Sequence, residues 1–464
     1  MAQYYVAKTG SDSNPGTVGS PWLTIGHAVP IAAAGDTVNV GDGTYTESNL
    51  NFNKSGTAGN LITFKSTNQY GAKIVGNNGT FASAVTLSGD FVQINGFDVT
   101  GGNAVGIDAA GSNDEVRYNY VHDVPAIGVG GFGGALIDFS NFPTKSGGIA
   151  DGNLCLRIGN IAVSAPPLVQ GLYAAIPNVT FSNNIVCGVE AYAVNIGHYS
   201  INCIVVNNTM FGNGNDSLDS GGVVIAATDS GSPISDGHRV RNNIIYDNKG
   251  IGLHEEGAQG SNIIYSNNFV VGNNTNFGVM NGHSNTNNIT SGIPGFVNYQ
   301  RNGSGDYHLA TGSVCKDAGI STNAPLIDFF KVIRPQGTLF DIGAAEFVTA
   351  SAITNALQST VIRDQPKVAA SGFAKVTITV TLKDSGGAVI SSGPTVVLNR
   401  SNTTTTIIPS SITANSSGVA TFTATDTIIG VCTYTATDTT NTIIINQTAS
   451  NNFTSPTEFY TGSF

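Results

Sequence analysis

The sequence predicts an all-β protein in which a parallel β-solenoid is followed by a β-sandwich. Two observations predict the solenoid. Short apolar strands alternate with glycine and asparagine from about residue 36 to about residue 300, and a motif with paired asparagines recurs among them. A third observation predicts the sandwich, because beyond residue 347 the composition shifts to Thr, Ser and Val with alternating strands.

The composition already excludes several classes of protein. Of 464 residues, 58 are glycine and only 11% are charged, against averages of about 7% glycine and about 25% charged residues. A hydrophobic content of 40% argues against a disordered chain. Thirty acidic and 19 basic residues leave a net charge of −11 without a cluster of Lys or Arg, which argues against a protein that binds nucleic acid through its phosphates.

Cysteine content and hydropathy bear on the compartment. The five cysteines are odd in number and form no CxxC motif, so we expect small buried hydrophobic residues rather than a metal site. No apolar run reaches the roughly 18 residues of a membrane span. The first residues lack the basic and apolar regions of a secretory signal peptide, so we expect either a removed leader or release at cell lysis, as for virion proteins.

The N-terminal region carries the clearest helical signal. Ser20 is a suitable N-cap, Pro21 suits the first helical position, and apolar residues follow at helical spacing over residues 22–33. Pro30 is expected to shorten or kink this helix, and Gly35 ends it. Residues 1–45 are therefore predicted to contain a strand and a helix that caps the open end of the solenoid.

The solenoid prediction depends on the recurring asparagine pairs. Their second members are Asn184, Asn208, Asn243 and Asn268, at steps of 24, 35 and 25 residues, with a looser copy in which Asn119-Tyr120 replaces the pair. Steps in the mid-twenties suit one coil of a parallel β-solenoid, and the polar residues 226–238 can form the extra loop of the long step. Asparagine tolerates the left-handed backbone of a corner, and its amide can bond the asparagines of neighbouring coils.

Two stretches of sequence resemble a known superfamily. The first stretch contains the motifs Tyr4-Tyr5-Val6, Pro21-Trp22, Gly35-Asp36-Thr37-Val38 and Gly43-Thr44-Tyr45. The second, residues 294–347, contains Asp306-Tyr307-His308-Leu309, Arg334-Pro335 and Asp341-Ile342-Gly343-Ala344. The first resembles the opening of right-handed parallel β-helix proteins of the pectate-lyase-like superfamily, and the second resembles the segment that closes many of them. The resemblance implies a right-handed β-helix over residues 46–348. It implies no single activity, since the superfamily includes lyases, hydrolases, phage tailspikes and non-catalytic binders.

The C-terminal region resembles a different family. Residues 376–384 and 417–422 are similar to invasin-type bacterial Ig-like domains, which are spacers or adhesive modules without catalytic residues. Residues 349–448 are accordingly predicted to form an Ig-like β-sandwich. Residues 449–464 are predicted to be a flexible or partner-docking tail.

Function on a β-helix is expected on the outer face of one sheet, because the inside is packed core. Aligning the coils predicts that Ile107, Leu172, Val194, Leu253 and Val279 point inward. Alternation then turns a column of neighbouring side chains outward, namely Asp108, Tyr173, Asn195, His254 and Met280. Coils repeat about every 4.8 Å, so this column suits a polymer. Tyr173, Asn195, His198 and His254 are the candidate substrate-binding residues.

Carboxylates near this column are the candidate catalytic groups. A glycoside hydrolase needs two of them, about 5.5 Å apart for retention or up to about 9.5 Å for inversion. Glu255 or Glu256 paired with Glu190 or Asp108 is predicted to meet this requirement, although a solvated loop is an alternative for Glu255-Glu256. A uronate lyase of the superfamily would need a Lys or Arg base and usually calcium, and the column has no basic residue. A hydrolase is therefore favoured over a lyase.

Metal and cofactor signals are weak. Residues 213–219 place oxygen ligands at alternate positions, as calcium loops do, but lack the distal Glu of an EF-hand, so a polar turn is favoured. Asp12-Ser13-Asn14 is interpreted in the same way. We therefore predict no metal and no cofactor, with calcium as the one alternative left open.

Three functional hypotheses follow. The first is a phage virion protein of tailspike or fibre type that binds host-surface polysaccharide, with cleavage left open. The second is a secreted bacterial polysaccharide-degrading enzyme, and the third a non-catalytic adhesin or structural surface protein. The expected partners are a glycan and other virion or cell-surface proteins, without nucleic acid or membrane, and the expected location is the virion surface or outside the cell. Spikes are commonly homotrimers, but the sequence shows no trimerisation motif.

Overall fold

The computed structural model is all-β and divides into two compact units, residues 1–347 and residues 348–464. It describes residues 1–47, 50–76, 83–125, 134–159, 169–214, 220–348, 353–390 and 393–456. In these ranges no helix is long and apolar enough to cross a membrane. All five cysteines are buried and unpaired, as predicted from their number and spacing.

The first unit is a parallel β-helix whose coils each contribute one strand to three sheets, in the chain order sheet 1, sheet 2, sheet 3. Sheet 1 consists of Gln3–Val6, Thr37–Val40, Ile62–Ser66, Val92–Asn95, Asp114–Arg117, Gly148–Asp151, Val179–Ser182, Ile204–Val206, Arg239–Arg241, Ile264–Ser266 and Ser284–Thr286. Sheet 2 consists of Gly43–Thr46, Ala72–Gly76, Asp98–Gly101, Tyr120–Val124, Leu154–Ile158, Ile185–Val189, Thr209–Phe211, Ile244–Tyr246 and Phe269–Val271. Sheet 3 consists of Leu50–Phe52, Ser83–Leu87, Val105–Ala109, Gly134–Phe139, Val169–Ala174, Tyr192–Ile196, Gly221–Ala226, Ile251–Glu256 and Thr275–Phe277.

The asparagine pairs form the corner between sheet 1 and sheet 2. The first member adopts the left-handed conformation, with φ of +54° at both Asn207 and Asn242. The second member is buried and bonds its equivalents: Nδ2 of Asn208 donates to Oδ1 of Asn243 at 3.0 Å, and Oδ1 of Asn208 accepts from Nδ2 of Asn184 at 2.9 Å. The predicted ladder of amides is therefore confirmed. Because buried amides cost free energy unless they are bonded, this ladder fixes the register of successive coils.

The ladder extends further than predicted, and one of its members is shifted. Asn119 and Asn153 continue it toward the N-terminus, and Asn288 continues it toward the C-terminus. The looser copy occupies Tyr118-Asn119, one residue earlier than Asn119-Tyr120. Tyr118 takes the left-handed position with φ of +53°, and Tyr120 begins the sheet 2 strand.

The N-terminal helix is much shorter than predicted. It spans Ile25–Ala28 with Thr24 as its N-cap, whose side chain accepts a hydrogen bond from the amide of His27. Two distant carboxylates set this start: Asp12 accepts from the amide of Thr24, and Glu47 accepts from the amides of Ile25 and Gly26. These contacts come from residues outside the local sequence, so the local signal placed the cap too early, at Ser20.

The closing segment, residues 294–347, contains the antiparallel strands Phe296–Asn298 and Asp306–Leu309. It lies along the corner between sheets 1 and 2, where the first asparagines of the pairs donate to its carbonyl oxygens. Arg334 and Glu346 form an ion pair within it at 2.9 Å, and neither side chain is exposed. The segment is therefore bonded to the coils at several points.

The second unit has two sheets around one apolar core, as the predicted β-sandwich requires, and all their described strand pairs are antiparallel except the parallel pair of Lys367–Ala369 with Ala449–Thr454. One sheet contains Thr360–Arg363, Val376–Thr381, Val419–Thr425 and Thr406–Ile408. The other contains Lys367–Ala369, Ala449–Thr454, Gly430–Asp438, Thr395–Arg400 and Ser411–Thr413, with Ile443–Ile444 paired to Gly430–Asp438. The strand Ala449–Thr454 lies where a tail was predicted, because Ala449 and Phe453 point into the core. Residues 457–464 lie outside the described ranges.

Candidate functional site

The outer face of sheet 3 carries one row of side chains in register from coil to coil, here called the outer row. It consists of Asn51, Thr86, Asp108, Asp138, Tyr173, Asn195, Val224 and His254. Preceding residues such as Ile107, Leu172 and Leu253 are fully buried in the core. The structure thus places Asp108, Tyr173, Asn195 and His254 in one row, about 4.8 Å apart per coil.

The outer row differs from the column that was predicted by aligning the coils, and it includes Asn51, Thr86 and Val224 as further members. Leu253 pairs with Phe277, so Gly278 rather than Met280 follows in register with His254. Val279, predicted to point inward, is 62% exposed. Asp138 belongs to the row but was not predicted, because its strand follows a long glycine-rich stretch that breaks the coil spacing. The repeat of Ile107-Asp108 in Ile137-Asp138 was the available signal.

Asp108 and Asp138 are register partners on adjacent strands and are here called the acid pair. Burial raises the pKa of both carboxyl groups, and the charge of Asp108 raises that of Asp138 further. One oxygen of Asp138 is buried without a hydrogen-bond partner among the described residues. Two neighbouring carboxyl groups resist simultaneous ionisation and tend to hold one proton between them. The pair therefore supplies an acid and a base in one place.

An aromatic platform, defined as Phe142, Tyr173, His198 and Tyr199, adjoins the acid pair. The Phe142 ring stacks on the rings of His198 and Tyr199, with centroid distances of 4.7 Å and 5.1 Å. Tyr173 meets His198 edge-on, with the ring centroids 6.1 Å apart. Tyr173 is also the register partner of Asp138. All four rings are half-buried, so they present ring surface to a ligand beside the two carboxyl groups.

His198 is fixed by a residue from the longest step of the solenoid. Its Nδ1 lies 2.9 Å from an Oδ atom of Asp229. Asp229 follows the strand Gly221–Ala226, within the loop predicted from the 35-residue step. The loop thus contributes to the same edge of sheet 3 as the platform.

A second polar cluster lies farther along the same face. The hydroxyl of Tyr192 donates to Oε1 of Glu256 at 2.8 Å, and Nε2 of His254 lies 3.2 Å from the same oxygen. The hydrogen bond with His254 lowers the pKa of Glu256, whose side chain is 48% exposed. Five register steps separate Asp108 from His254, or roughly 24 Å at the usual strand spacing. Glu256 therefore cannot pair with Asp108 across one glycosidic bond.

Glu255 and Glu190 do not join Asp108 on the outer face. Glu255 points inward, where it accepts hydrogen bonds from Tyr265 at 2.7 Å and Asn281 at 2.8 Å, and its side chain has no exposed surface. Glu190 is 3% exposed, lies at the turn before the strand Tyr192–Ile196, and packs so closely on Gly159 that a Cβ there would clash with its carboxylate. The expected pairing of Glu255 with Glu190 or Asp108 on the outer face is thus not formed.

With this geometry known, comparison with known proteins places the chain in a family. Residues 4–288 match the Pel9A-like, right-handed beta helix region. The chain belongs to the Pel9A-like family of right-handed β-helix proteins.

The Pel9A-like assignment agrees with solved structures. The chain is similar to the crystal structure of pectate lyase Pel9A, with 18% identity, a TM-score of 0.53, and coverage of 75% of this chain and 97% of that one. It is also similar to a rhamnogalacturonan lyase, with 16% identity, a TM-score of 0.42 and coverage of 68% and 97%. At such identities the likeness concerns the fold alone.

One curated relative extends the comparison. The uncharacterized protein YwoF of Bacillus subtilis (strain 168) is 33% identical over 130 residues, which cover 25% of this chain and 28% of YwoF. The chain therefore spans little more than a quarter of that relative.

The residues considered as calcium ligands have other partners in this Pel9A-like chain. Asn213 belongs to a second amide ladder, donating to Oδ1 of Asn248 at 2.9 Å, while Asp216 and Asp219 lie outside the described residues. Asp12 accepts from the amides of Leu23 and Thr24. Across the described ranges, no three His, Cys, Asp or Glu side chains converge as metal ligands.

Proposed function

We propose that the outer row of sheet 3 binds a polysaccharide and that the acid pair hydrolyses its glycosidic bonds. The observation that carries this proposal is the position of Asp108 and Asp138 in register beside the aromatic platform. Membership of the Pel9A-like family supports a role in binding or degrading polysaccharide, because one relative of the same fold is named a pectate lyase.

The acid pair has the chemistry that hydrolysis requires. One carboxyl group must donate a proton to the leaving oxygen, and a second must act as a carboxylate at the sugar. We assign proton donation to Asp138, since both burial and the charge of Asp108 raise its pKa, and the carboxylate role to Asp108. Adjacent strands lie about 4.8 Å apart, which is close to the roughly 5–5.5 Å that separates the two catalytic carboxyl groups of retaining hydrolases. Retention of configuration is the expected outcome.

Elimination chemistry is less well supported. A uronate lyase of this superfamily is expected to need a Lys or Arg base and calcium, and no described strand of sheet 3 contains Lys or Arg. Calcium takes six to eight oxygen ligands, often from several carboxylates, whereas the described part of this face brings only Asp108 and Asp138 together. These residues do not fit a calcium-dependent lyase.

We further propose that the protein acts on glycans of a host surface as part of a phage particle, with the second unit as an Ig-like spacer. The support is the combination of a β-helix with a separate β-sandwich. A secreted bacterial enzyme and a surface adhesin are the alternatives. Neighbouring genes for tail proteins would favour the phage particle, whereas genes for sugar uptake would favour the secreted enzyme. Light scattering of the full chain tests the homotrimer expected of a spike.

Hydrolysis is tested with the full chain and a panel of polysaccharides. New reducing ends should appear without unsaturated products. Asp108→Asn and Asp138→Asn should each lower the rate by about 10²–10⁴-fold, the usual contribution of a general acid or base. Glu115→Gln, which removes a carboxylate from sheet 1, is the matched control and should leave the rate unchanged. Unsaturated products would contradict hydrolysis. Binding without cleavage of any glycan would also contradict it and would identify the chain as a glycan-binding protein.

A further inference from the structure

The charge of the outer face of sheet 3 indicates which glycans it can accept. Its acidic side chains are Asp108, Asp138, Asp229 and Glu256, of which the acid pair holds one proton and one negative charge. Its two imidazoles, His198 and His254, contact Asp229 and Glu256. None of the described strands in this sheet contributes a Lys or Arg. The described strands of this face therefore hold no fixed cation to oppose its acids, and Lys54 lies just after the strand Leu50–Phe52, at the N-terminal end of the row.

The basic residues of the same coils lie elsewhere. Arg117 is on sheet 1, where it bonds Glu115 and Asp151, and Arg239 and Arg241 are also on that sheet. On sheet 2, Arg157 pairs with Asp123. Lys145 pairs with Asp90 beyond the end of a sheet 3 strand, and Lys249 lies at the turn between sheets 2 and 3.

Uncharged groups supply the remaining polar surface. Asn195 follows Tyr173 in the outer row, and Gln170 pairs in register with Tyr192. The side-chain oxygens of Gln170 and Asn195 have no hydrogen-bond donor among the described residues. An unsatisfied acceptor favours a partner with hydroxyl groups, because buried acceptors normally find a donor. Both oxygens are buried in the free protein, so a sugar hydroxyl reaches them only when the side chain turns outward. Such oxygens do not match carboxylates, which only accept.

We propose that the polymer bound along this face is an uncharged polysaccharide and not a polyuronate. This inference rests on the proposed function and specifies its substrate class. A uronate in every sugar would bring negative charges against the acid pair and, farther along the face, against Asp229 beside the platform and Glu256 beside His254. Like charges repel more strongly in a partly desolvated site than in water. Uncharged sugars instead offer hydroxyl groups to the amides and apolar faces to the platform.

The test measures binding of the full chain to charged and uncharged polymers that share a backbone. The probes are polygalacturonate and its carboxyl-reduced form, together with alginate, dextran, xylan and galactan, each with and without calcium. We expect at least one uncharged polymer to bind at least about tenfold more tightly than either polyuronate, a difference of about 1.4 kcal/mol. Any residual binding of polygalacturonate should strengthen with added salt, because salt screens repulsion.

Variants that remove the carboxyl groups distinguish charge repulsion from a poor fit between the polymer and the face. The double variant Asp108→Asn/Asp138→Asn should bind polygalacturonate more tightly than the natural chain, whereas Glu115→Gln should not. Polyuronate binding that equals or exceeds that of every uncharged polymer, with or without calcium, overturns the inference, as does a double variant that still rejects polygalacturonate. Binding of no glycan at all overturns the proposed function and this inference with it.

Discussion

The side chain of Asn207 donates a hydrogen bond to the carbonyl oxygen of Asp341, which lies 134 residues further along the chain, at 2.9 Å. Within the described residues, its neighbour Asn208 has no bond to the closing segment and connects the coils instead, through Asn184 and Asn243. The two members of one asparagine pair therefore differ in their main task. The first attaches the closing segment, in addition to one bond from Asn242 of the next coil, and the second holds successive coils together.

This division predicts unequal effects of substitution. Asn208→Ala leaves several buried donors and acceptors unsatisfied in the middle of the ladder, so we expect a loss of at least about 2–4 kcal/mol in the free energy of unfolding. Asn207→Gly keeps a residue that tolerates the left-handed corner. It removes the bonds to the closing segment and the single bond from Asn242, which keeps its other acceptor, so it should lose about 1 kcal/mol. Urea unfolding of the β-helix, followed by circular dichroism, measures both values.

Limited proteolysis distinguishes the two tasks. Asn207→Gly should speed cleavage within residues 294–347 while leaving the coils resistant. Asn208→Ala should expose the coils as well. Equal stability losses and equal cleavage patterns for the two variants would contradict the division.

The closing segment should also depend on its buried ion pair. Arg334→Met leaves the Glu346 carboxylate buried without its cation, and breaking such pairs typically costs about 3–5 kcal/mol. The exposed pair of Arg301 with Asp247 is a matched control in the same segment, with side chains 45% and 37% exposed. Arg301→Met should cost less than about 1 kcal/mol. A smaller loss for Arg334→Met than for Arg301→Met in thermal unfolding would refute this assignment.

Local sequence predicted the structure correctly where a position requires one type of residue. The positions of Asn184, Asn208, Asn243 and Asn268 predicted the corners, because the left-handed turn and the amide ladder both require this residue type. The start of the N-terminal helix was not predictable in the same way. It depends on Asp12 and Glu47, which reach it from distant positions.

In the candidate site, one carboxylate, Glu255, was misplaced by the sequence analysis, and another, Asp138, was missed. Alternation from His254 already implies that Glu255 points inward, but a core carboxylate is rare enough that the sequence favoured the outer face. The partners that make this burial tolerable, Tyr265 and His283, belong to the following coil. Asp138 was missed for a different reason, since a glycine-rich stretch of unpredictable length precedes its strand.

The Glu255 site predicts a pH dependence of stability. Both ring nitrogens of His283 face acceptors, Oε1 of Glu255 at 2.6 Å and the carbonyl oxygen of Gly260, so a doubly protonated ring satisfies both. Burial lowers the pKa of His283, but the bonds to Glu255 and Gly260 and the charges of Glu255 and Asp236 outweigh it, and the pKa is raised.

A raised folded-state pKa stabilises the protein below the ordinary histidine value of about 6.5, and this stabilisation is lost as the pH rises through the folded-state value. His283→Asn should therefore lower the midpoint of thermal unfolding most near pH 5, and the deficit should shrink toward pH 9. A deficit that grows with pH would contradict the predicted sign.

The aromatic platform predicts how glycan binding responds to loss of ring surface. Phe142 stacks on both His198 and Tyr199, so Phe142→Ala removes the ring that joins them. We expect glycan affinity to fall about tenfold, which corresponds to about 1.4 kcal/mol and lies within the usual value of an aromatic contact. Phe142→Leu keeps apolar bulk without a ring face and should recover only part of the affinity.

Affinity electrophoresis in gels containing the bound polysaccharide measures both Phe142 variants against the natural chain. Because Phe142 is half-buried and packs partly against the core, the midpoint of thermal unfolding must be measured on the same samples. Equal affinity for all three proteins would show that the platform does not contact the glycan. A fall in affinity that follows loss of folded protein would assign Phe142 a structural role, whereas weaker binding by a fully folded Phe142→Ala would identify its ring as a contact for sugar.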